Sequence, residues 1–151
     1  MQGRIREVRT EVKYGAENSR IDILALDREG RRVYLEVKNT TFKDGDRVRF
    51  PDAVSERGTK HLRELQAMVR EGHRAALAFF VHRTDVTAFD AARDIDPAYA
   101  AELDRAAAAG VEILPVRVEL DARGGGPGGT GETEGWSLAW SLPGLLPWIR
   151  G

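Results

Sequence analysis

Two carboxylates and one ammonium group lie inside a segment that otherwise has the pattern of a β-hairpin. Residues 20–39 alternate apolar and polar side chains on both sides of a five-residue loop, Asp27 to Arg31, and Asp22, Glu36 and Lys38 interrupt that pattern. Because alternate side chains of a strand share a face, this loop places Asp22 opposite Glu36. Their Cβ atoms would then be roughly 4.5–5.5 Å apart, where like charges destabilise a sheet. The spacing therefore favours a cation between them.

The chemistry that this trio could perform is metal-assisted hydrolysis of a phosphodiester. Mg²⁺ takes one or two carboxylates together with waters and phosphate oxygens, and Mn²⁺ accepts similar ligands. Lys38 follows Glu36 on the same strand face, where it could position the attacking water or stabilise charge on the phosphate. The sequence thus predicts Asp22 and Glu36 as metal ligands and all three residues as catalytic. A second interpretation stays open, because exposed strand faces commonly carry solvated Glu and Lys.

The order of these residues is also the minimal pattern of a nuclease superfamily. Asp followed across a hairpin by Glu-x-Lys is typical of PD-(D/E)xK nucleases, although the pattern is short and matches by chance are common. The literal pair Pro51-Asp52 is not part of it, because that pair follows Glu36 and Lys38 rather than preceding them. Pro51 is expected to shape the loop instead.

The elements that must position the trio are indicated by apolar periodicity and by turn residues. Strands are predicted at residues 4–13, 20–26, 32–38, 75–81 and 111–120, with a short strand near 47–50, and helices at residues 55–71 and 97–109. The order β-β-β-α-β-α-β favours an α/β fold with a mixed central β-sheet and flanking helices. Pro115 predicts an edge position or a bulge for the last strand.

Composition limits the classes of protein to which the chain can belong. It has 151 residues, a net charge of −1 and no cysteine, which excludes disulfides, thiolate metal sites and cysteine nucleophiles. No apolar run approaches the ~20 residues of a membrane-spanning helix, so a cytoplasmic location is expected. We expect one domain over residues 1–121. Residues 122–151 are predicted to form a Gly-rich linker and a Trp-containing tail that is flexible or docks on the domain, a partner or a membrane surface.

Further basic residues are candidates for contacts with a polyanion or with the metal site. In the helix at 55–71, Lys60 and His61 are expected either to approach the metal site or a phosphate, or to form the polar flank of an amphipathic helix. Phosphate contacts are predicted for four cations, which could equally be solvated surface charges. These four are Lys43, Arg47, Arg49 and Arg57.

Several longer blocks carry a resemblance to a known family. They are "EVKYGAENSRIDILA", "YLEVKNTTF", "FPDAVSERGTKHLREL", "GHRAALAFFVHR" and "DIDPAYAAELDRAAAAGVEILP". Taken in order, they resemble the C-terminal domain of the sugar fermentation stimulation protein A (SfsA) family. The resemblance covers the chain from about Arg6 to Leu120, which makes it much more specific than Glu-x-Lys alone.

The resemblance implies a restriction-endonuclease-like fold with Asp22, Glu36 and Lys38 on the core motif. It also implies nucleic-acid binding, with DNA the first expectation and RNA the second. Glu17 and Arg20 fall in the matching "ENSRID" block as auxiliary residues. Members of the family are described either as metal-dependent nucleases or as DNA-binding regulators of sugar metabolism, maltose utilisation in particular. Both functions remain open, and so does an inactive shortened paralogue.

This sequence departs from the family pattern in two places. The resemblance implies a small N-terminal OB-like β-domain before the nuclease-like domain, and the sequence contains no such region. It also implies a helix just before the sheet, which often supplies an acidic residue in the superfamily, and no helix pattern precedes the first predicted strand. The tail has no counterpart in the resemblance.

Overall fold

The computed structural model describes residues 5–123 and 137–149. In chain order the elements are β1 (Ile5–Tyr14), β2 (Ser19–Asp27), β3 (Arg32–Thr40), β4 (Lys43–Asp44), β5 (Arg47–Phe50), α1 (Glu56–Arg70), β6 (Arg74–Val81), β7 (Ala88–Ala91), α2 (Pro97–Ala108), β8 (Glu112–Arg123), β9 (Ser137–Leu145) and β10 (Trp148–Ile149). Neither helix in these residues is long and apolar enough to cross a membrane.

The turn between β2 and β3 is built by its own side chains. Asp27 Oδ1 accepts hydrogen bonds from the backbone nitrogens of Glu29 and Arg31, at 2.9 and 2.8 Å. Gly30 takes a positive φ of 79°, which a residue with a Cβ adopts only at a cost. The turn sets the register of the hairpin, in which Ile23 lies opposite Leu35 as the sequence predicts.

The larger sheet is mixed and has six strands in the order β1-β2-β3-β6-β8-β9. β1, β2 and β3 pair antiparallel, and β3, β6 and β8 pair parallel. Parallel neighbours need a crossover, which the chain supplies with α1 between β3 and β6 and with α2 between β6 and β8. β6 is buried over most of its length, as its continuous apolar sequence predicts.

Both helices begin and end where the sequence predicts, to within about one residue. Ser55 Oγ accepts from Gly58 N at 3.0 Å to cap α1, and Asp96 Oδ1 accepts from Tyr99 N at 2.9 Å to cap α2. Their apolar sides pack into one core with the sheet. In that core the rings of Phe79 and Phe89 stack with their centroids 4.3 Å apart. Helix α1 packs against α2 and β6, and β6 is the parallel neighbour of β3, where Glu36 lies.

A second sheet and part of the tail were not predicted. Four strands form the smaller sheet, in the order β10-β7-β5-β4. The structure differs from the expectation of a flexible tail at residues 137–149, because β9 pairs antiparallel with β8 and β10 pairs parallel with β7. Residues 124–136, which include the Gly-rich linker, lie outside the described part of the chain. The tail thus adds one strand to each sheet.

Pro115 lies in an internal strand, so of the two alternatives predicted for it, an edge position or a bulge, the edge position is wrong. β8 lies between β6 and β9, and its register with β9 shifts between Arg117 and Glu119. The carbonyl of Pro115 accepts from Leu146 N at 2.8 Å, on the side of β9. The N and C=O of one strand residue point to the same side, so the nitrogen of Pro115 faces the end of β9. The hydrogen bond that proline cannot donate is therefore missing on that side, and the hydrogen bonds between β8 and β6 are unaffected.

Candidate active site

Asp22 lies where β2 separates from β3. The ladder between the two strands ends at Ile23 and Leu35, one residue before Asp22 and Glu36 would pair. Asp22 Oδ2 instead accepts a hydrogen bond from Val37 N at 2.7 Å. The register predicted from the loop is present, but the Asp22 side chain replaces the next backbone bond. This contact fixes the carboxylate of Asp22 beside the strand that carries Glu36.

Glu36 is a buried carboxylate that accepts hydrogen bonds from two side chains, Lys38 and His61. Its side chain is 3% exposed, and its Oε1 lies 2.7 Å from Lys38 Nζ and 2.6 Å from His61 Nδ1. A carboxylate oxygen only accepts, so His61 carries a proton on Nδ1 in this contact. That proton prevents Nδ1 from accepting from Lys38 Nζ, which lies 3.4 Å away. Glu36 is thus the common acceptor for both side chains.

The pKa of Glu36 reflects a competition between burial and these two donors. Burial, the largest single cause, raises the pKa of its carboxyl, and the hydrogen bonds from His61 and Lys38 together with the Coulombic attraction of the same two side chains lower the pKa by more. The pKa of Glu36 therefore lies below its ordinary value. Glu36 is accordingly an ionised acceptor at neutral pH, as a metal ligand must be.

Asp22 and Glu36 both line one open pocket of about 350 Å³. The pocket lies between the β1–β2 hairpin, β3 and the first half of α1. Its lining residues are Glu11, Asn18, Ser19, Arg20, Asp22, Glu36, Arg57, Lys60 and His61. Lys38 is not among them and reaches the pocket through its contact with Glu36. The structure thus brings together the two carboxylates, the lysine and most of the predicted auxiliary residues.

Three cations surround the carboxylates of the pocket. Arg20 and Arg57 are exposed and have no acidic partner among residues 5–123 and 137–149. Lys60 donates to the backbone carbonyl of Glu17 at 2.7 Å, and its Nζ lies 3.9 Å from the carboxylate of Glu17. Glu17 itself does not line the pocket. Two guanidinium groups are therefore free to bind an anion beside Asp22 and Glu36.

The three predicted phosphate contacts in the loop after β3 lie away from this pocket, and each is paired with an aspartate. Lys43 Nζ lies 2.8 Å from Asp85, and Arg47 lies 3.2 Å from Asp90. Arg49 contacts both Asp44 and Asp94. Of the four cations proposed from sequence for phosphate contact, only Arg57 lines the pocket. A phosphate contact at the other three would have to compete with these carboxylates.

The free oxygens of the two carboxylates can be compared with what a divalent cation needs. Glu36 Oε2 is buried without a hydrogen-bond partner, and Asp22 uses only Oδ2 in its bond to Val37. Among the residues that the structure describes, no group of three or more His, Cys, Asp or Glu side chains could hold a metal. Two carboxylates are nevertheless enough for Mg²⁺ when water and phosphate oxygens complete its shell. The residues fit a metal site whose remaining ligands are water and substrate phosphate, rather than one in which protein side chains supply every ligand.

Four pocket or near-pocket residues did not stand out in the sequence as functional. Asn18 and Ser19 line the pocket at the turn between β1 and β2, and Glu11 lines it with a positive φ of 54°. Glu64 is buried beneath this turn and accepts from Glu17 N at 3.2 Å. Its position one helical turn after Lys60 and His61 was the signal that could have identified it, since such residues share a helix face.

The sheet order, with a parallel crossover after the hairpin and two carboxylates at the point where β2 leaves β3, defines a protein of the restriction-endonuclease-like fold. The family model described as sugar fermentation stimulation protein RE domain matches residues 1–124. The chain belongs to this family, SfsA, as its sequence blocks predict.

Similar proteins agree with that assignment. Sugar fermentation stimulation protein homologues from Shewanella loihica and from Ruegeria are 53% identical over 113 residues and 51% identical over 119 residues. These matches cover 75% and 78% of this chain but 48% and 51% of the relatives, so the chain spans about half their length.

A solved structure of SfsA from Pyrococcus furiosus in complex with Ca²⁺ is also similar, with a TM-score of 0.75 and 28% sequence identity. The superposition covers 96% of this chain and 55% of the other, and it therefore extends beyond residue 124 into the tail.

Proposed function

We propose that this chain is a divalent-metal-dependent nuclease that hydrolyses phosphodiester bonds in DNA or RNA. The observation that carries the proposal is the pocket in which Asp22 and Glu36 lie beside the guanidinium groups of Arg20 and Arg57, which have no acidic partner among the described residues. Carboxylates alone would repel a phosphate, and cationic side chains alone would bind the phosphate without hydrolysing it. Their combination in one pocket is what a metal-assisted reaction on a phosphodiester requires.

Each residue has a role that follows from its contacts. Asp22 and Glu36 hold the cation through Asp22 Oδ1 and Glu36 Oε2, which have no other hydrogen-bond partner among the described residues. Lys38 and His61 keep Glu36 ionised and fix its orientation through Oε1. Lys38 Nζ is also the donor that positions the attacking water or stabilises charge on the phosphate. Stabilisation of the transition-state charge is the chemistry that the bound metal supplies.

Mg²⁺ is the proposed cation, with Mn²⁺ as its substitute. The SfsA structure from Pyrococcus furiosus is described as a complex with Ca²⁺, which is a hard cation with oxygen ligands like Mg²⁺. A carboxylate pair without cysteine suits such ions better than it suits softer metals. The two guanidinium groups then contribute to nucleic-acid binding. A cytoplasmic location belongs to the same proposal, because nucleic acid is the substrate.

The test is cleavage of end-labelled single- and double-stranded DNA and RNA with Mg²⁺, with Mn²⁺ and with chelator. Asp22→Asn keeps an oxygen that can accept from Val37 N but removes the charge, so it should abolish cleavage without unfolding the protein. Asp52→Asn is the matched control, because Asp52 is exposed and lies outside the pocket. Equal cleavage by Asp22→Asn and Asp52→Asn would refute the assignment of the site.

One observation favours a second function, that of a non-catalytic DNA-binding regulator of sugar metabolism genes, maltose utilisation in particular. Glu36 Oε1 is already neutralised by Lys38, with His61 as a further donor, so the buried carboxylate is stable without a metal. In this alternative the charges maintain the fold, and Arg20 and Arg57 bind phosphate. The same assay separates the two functions. A regulator would bind DNA with an affinity that falls steeply with salt, and it would give no product with either metal.

A further inference from the structure

Helix α1 holds the turn between β1 and β2 through both backbone polar groups of one residue, Glu17. The turn consists of residues 15–18. The backbone nitrogen of Glu17 donates to Glu64 Oε1 at 3.2 Å, and the backbone carbonyl of Glu17 accepts from Lys60 Nζ at 2.7 Å. Lys60 and Glu64 are four residues apart and therefore lie on the same helix face. The turn is thus attached to the face of α1 that also carries His61.

The contact between the turn and Glu64 leaves no room for a side chain at Gly15. A Cβ built on Gly15 would lie 2.5 Å from Glu64 Oε1 and 2.8 Å from Glu64 Cδ. Gly15 also has a φ of 72°, which residues with a Cβ rarely adopt. The Glu64 side chain is itself buried, so it cannot move aside into solvent. Gly15 and Glu64 therefore fit together closely.

The residues that follow this contact face the pocket. Asn18 has a φ of 57° and lines the pocket together with Ser19 and Arg20, the last of which precedes Asp22 by two positions. Opposite them, Arg57 lines the pocket from the same helix that holds the turn. The distance between the two pocket cations, Arg20 and Arg57, is accordingly set by how the turn is attached to α1.

We propose that the turn of residues 15–18 positions the nucleic-acid strand beside Asp22 and Glu36, and that Glu64 is the positioning residue that fixes this turn. This inference rests on the proposed nuclease function. In it, Asn18 donates its amide to the strand and Arg20 binds the phosphate next to the one that is cleaved. Glu64 touches neither the strand nor the metal and acts only through the backbone of Glu17.

The experiment measures kcat, KM and Mn²⁺ affinity for Glu64→Ala, Glu64→Gln and the control Glu71→Ala, an exposed carboxylate at the end of α1. Glu64→Ala should raise KM about tenfold, less than the roughly 100-fold that a 1 Å misplacement can cost. Its kcat and its affinity for Mn²⁺ should stay within about twofold of the wild type, since the metal ligands are untouched. Glu64→Gln keeps an acceptor for Glu17 N and should restore the wild-type KM.

A double-mutant cycle with Gly15→Ala tests the contact itself. Gly15→Ala should raise KM because its methyl group displaces Glu64. In Gly15→Ala with Glu64→Ala the displaced carboxylate is gone, so the combined rise in KM should be smaller than the product of the single effects. Thermal unfolding confirms that each variant is folded at the assay temperature. A KM for Glu64→Ala equal to that of Glu71→Ala, or single effects that simply multiply, would overturn the inference.

Failure of the nuclease function can be told apart from failure of this inference. If the wild type cleaves nothing with any metal, the proposed function is wrong. Binding of a fluorescent oligonucleotide by the wild type and the two Glu64 variants is then measured instead of cleavage. Weaker binding by Glu64→Ala than by Glu64→Gln would then show that the turn positions nucleic acid in a protein that binds it without cleaving it. Equal binding by the two variants, or no binding by the wild type, would overturn the inference as well.

Discussion

Replacing Lys38 by Met tests whether the buried charges around Glu36 are as tightly coupled as the structure indicates. Lys38 Nζ lies 2.7 Å from Glu36 Oε1, and the two side chains are 20% and 3% exposed. Removing one partner of a buried pair leaves an uncompensated charge and costs about 3–5 kcal/mol. His61 still donates to the same oxygen, so we expect a loss in the free energy of unfolding of about 3 kcal/mol, the lower end of that range.

The loss should depend on pH in a defined direction. The pKa of Glu36 is lowered in the folded protein, so its stabilising contribution is present above the unfolded pKa of about 4.3 and is lost as the pH falls through the folded value. Lys38→Met removes part of that contribution. The difference between wild type and variant should therefore be full at pH 7 and smaller near pH 4, because Glu36 of the variant, having lost the Lys38 donor, takes up a proton at a higher pH than Glu36 of the wild type.

The assay is urea unfolding followed by circular dichroism at both pH values, with Lys43→Met as the matched control. Lys43 lies 2.8 Å from Asp85, but these side chains are 33% and 48% exposed, and Arg83 also contacts Asp85. Such a surface pair is worth less than about 1 kcal/mol. If Lys38→Met costs no more than Lys43→Met at pH 7, or if its cost does not shrink at pH 4, the reasoning about Glu36 is refuted.

Two further predictions concern the helix caps and the phosphate contacts. Asp96→Ala removes the cap of α2 and also the acceptor for Ser55 N at 2.7 Å. Thermal unfolding should therefore show a loss in the free energy of unfolding of about 3 kcal/mol, against about 1 kcal/mol for Ser55→Ala. Equal losses for the two variants would contradict the double role of Asp96. Arg57→Ala should weaken oligonucleotide binding and reduce its salt dependence by about one phosphate contact, whereas Arg47→Ala should change neither by much, since Arg47 is paired with Asp90. Fluorescence anisotropy at several salt concentrations measures this, and a larger effect at Arg47 would move the interface away from the pocket.

The parts of the fold that were predictable from sequence are those fixed by neighbouring residues. Asp27 builds the hairpin turn with its own carboxylate, and that turn determines the register from which the closeness of Asp22 and Glu36 was predicted. Ser55 and Asp96 cap the helices by bonds to residues three positions further on. Each of these signals lies within a few residues, where local hydrogen bonding determines the backbone.

The parts that were not predictable depend on contacts between distant residues. Asp22 bonds to Val37 N because β2 leaves β3 at that point, and no pattern in either strand marks the separation. The strand at Trp148 and Ile149 is short and takes its place only by pairing with Phe89 and Asp90. A Gly-rich segment before it favours the prediction of a flexible tail, because composition reports what a segment can bury by itself.

The pairing of the tail has a consequence for where this chain should be truncated for expression. The family match ends at residue 124, but the described fold continues to residue 149. A chain truncated at the end of that match would lose β9 and β10 and would leave the backbone edges of β8 and β7 unpaired. Exposed strand edges promote association between copies. Truncation at the homology boundary should therefore give protein that aggregates, although every residue of the pocket would still be present.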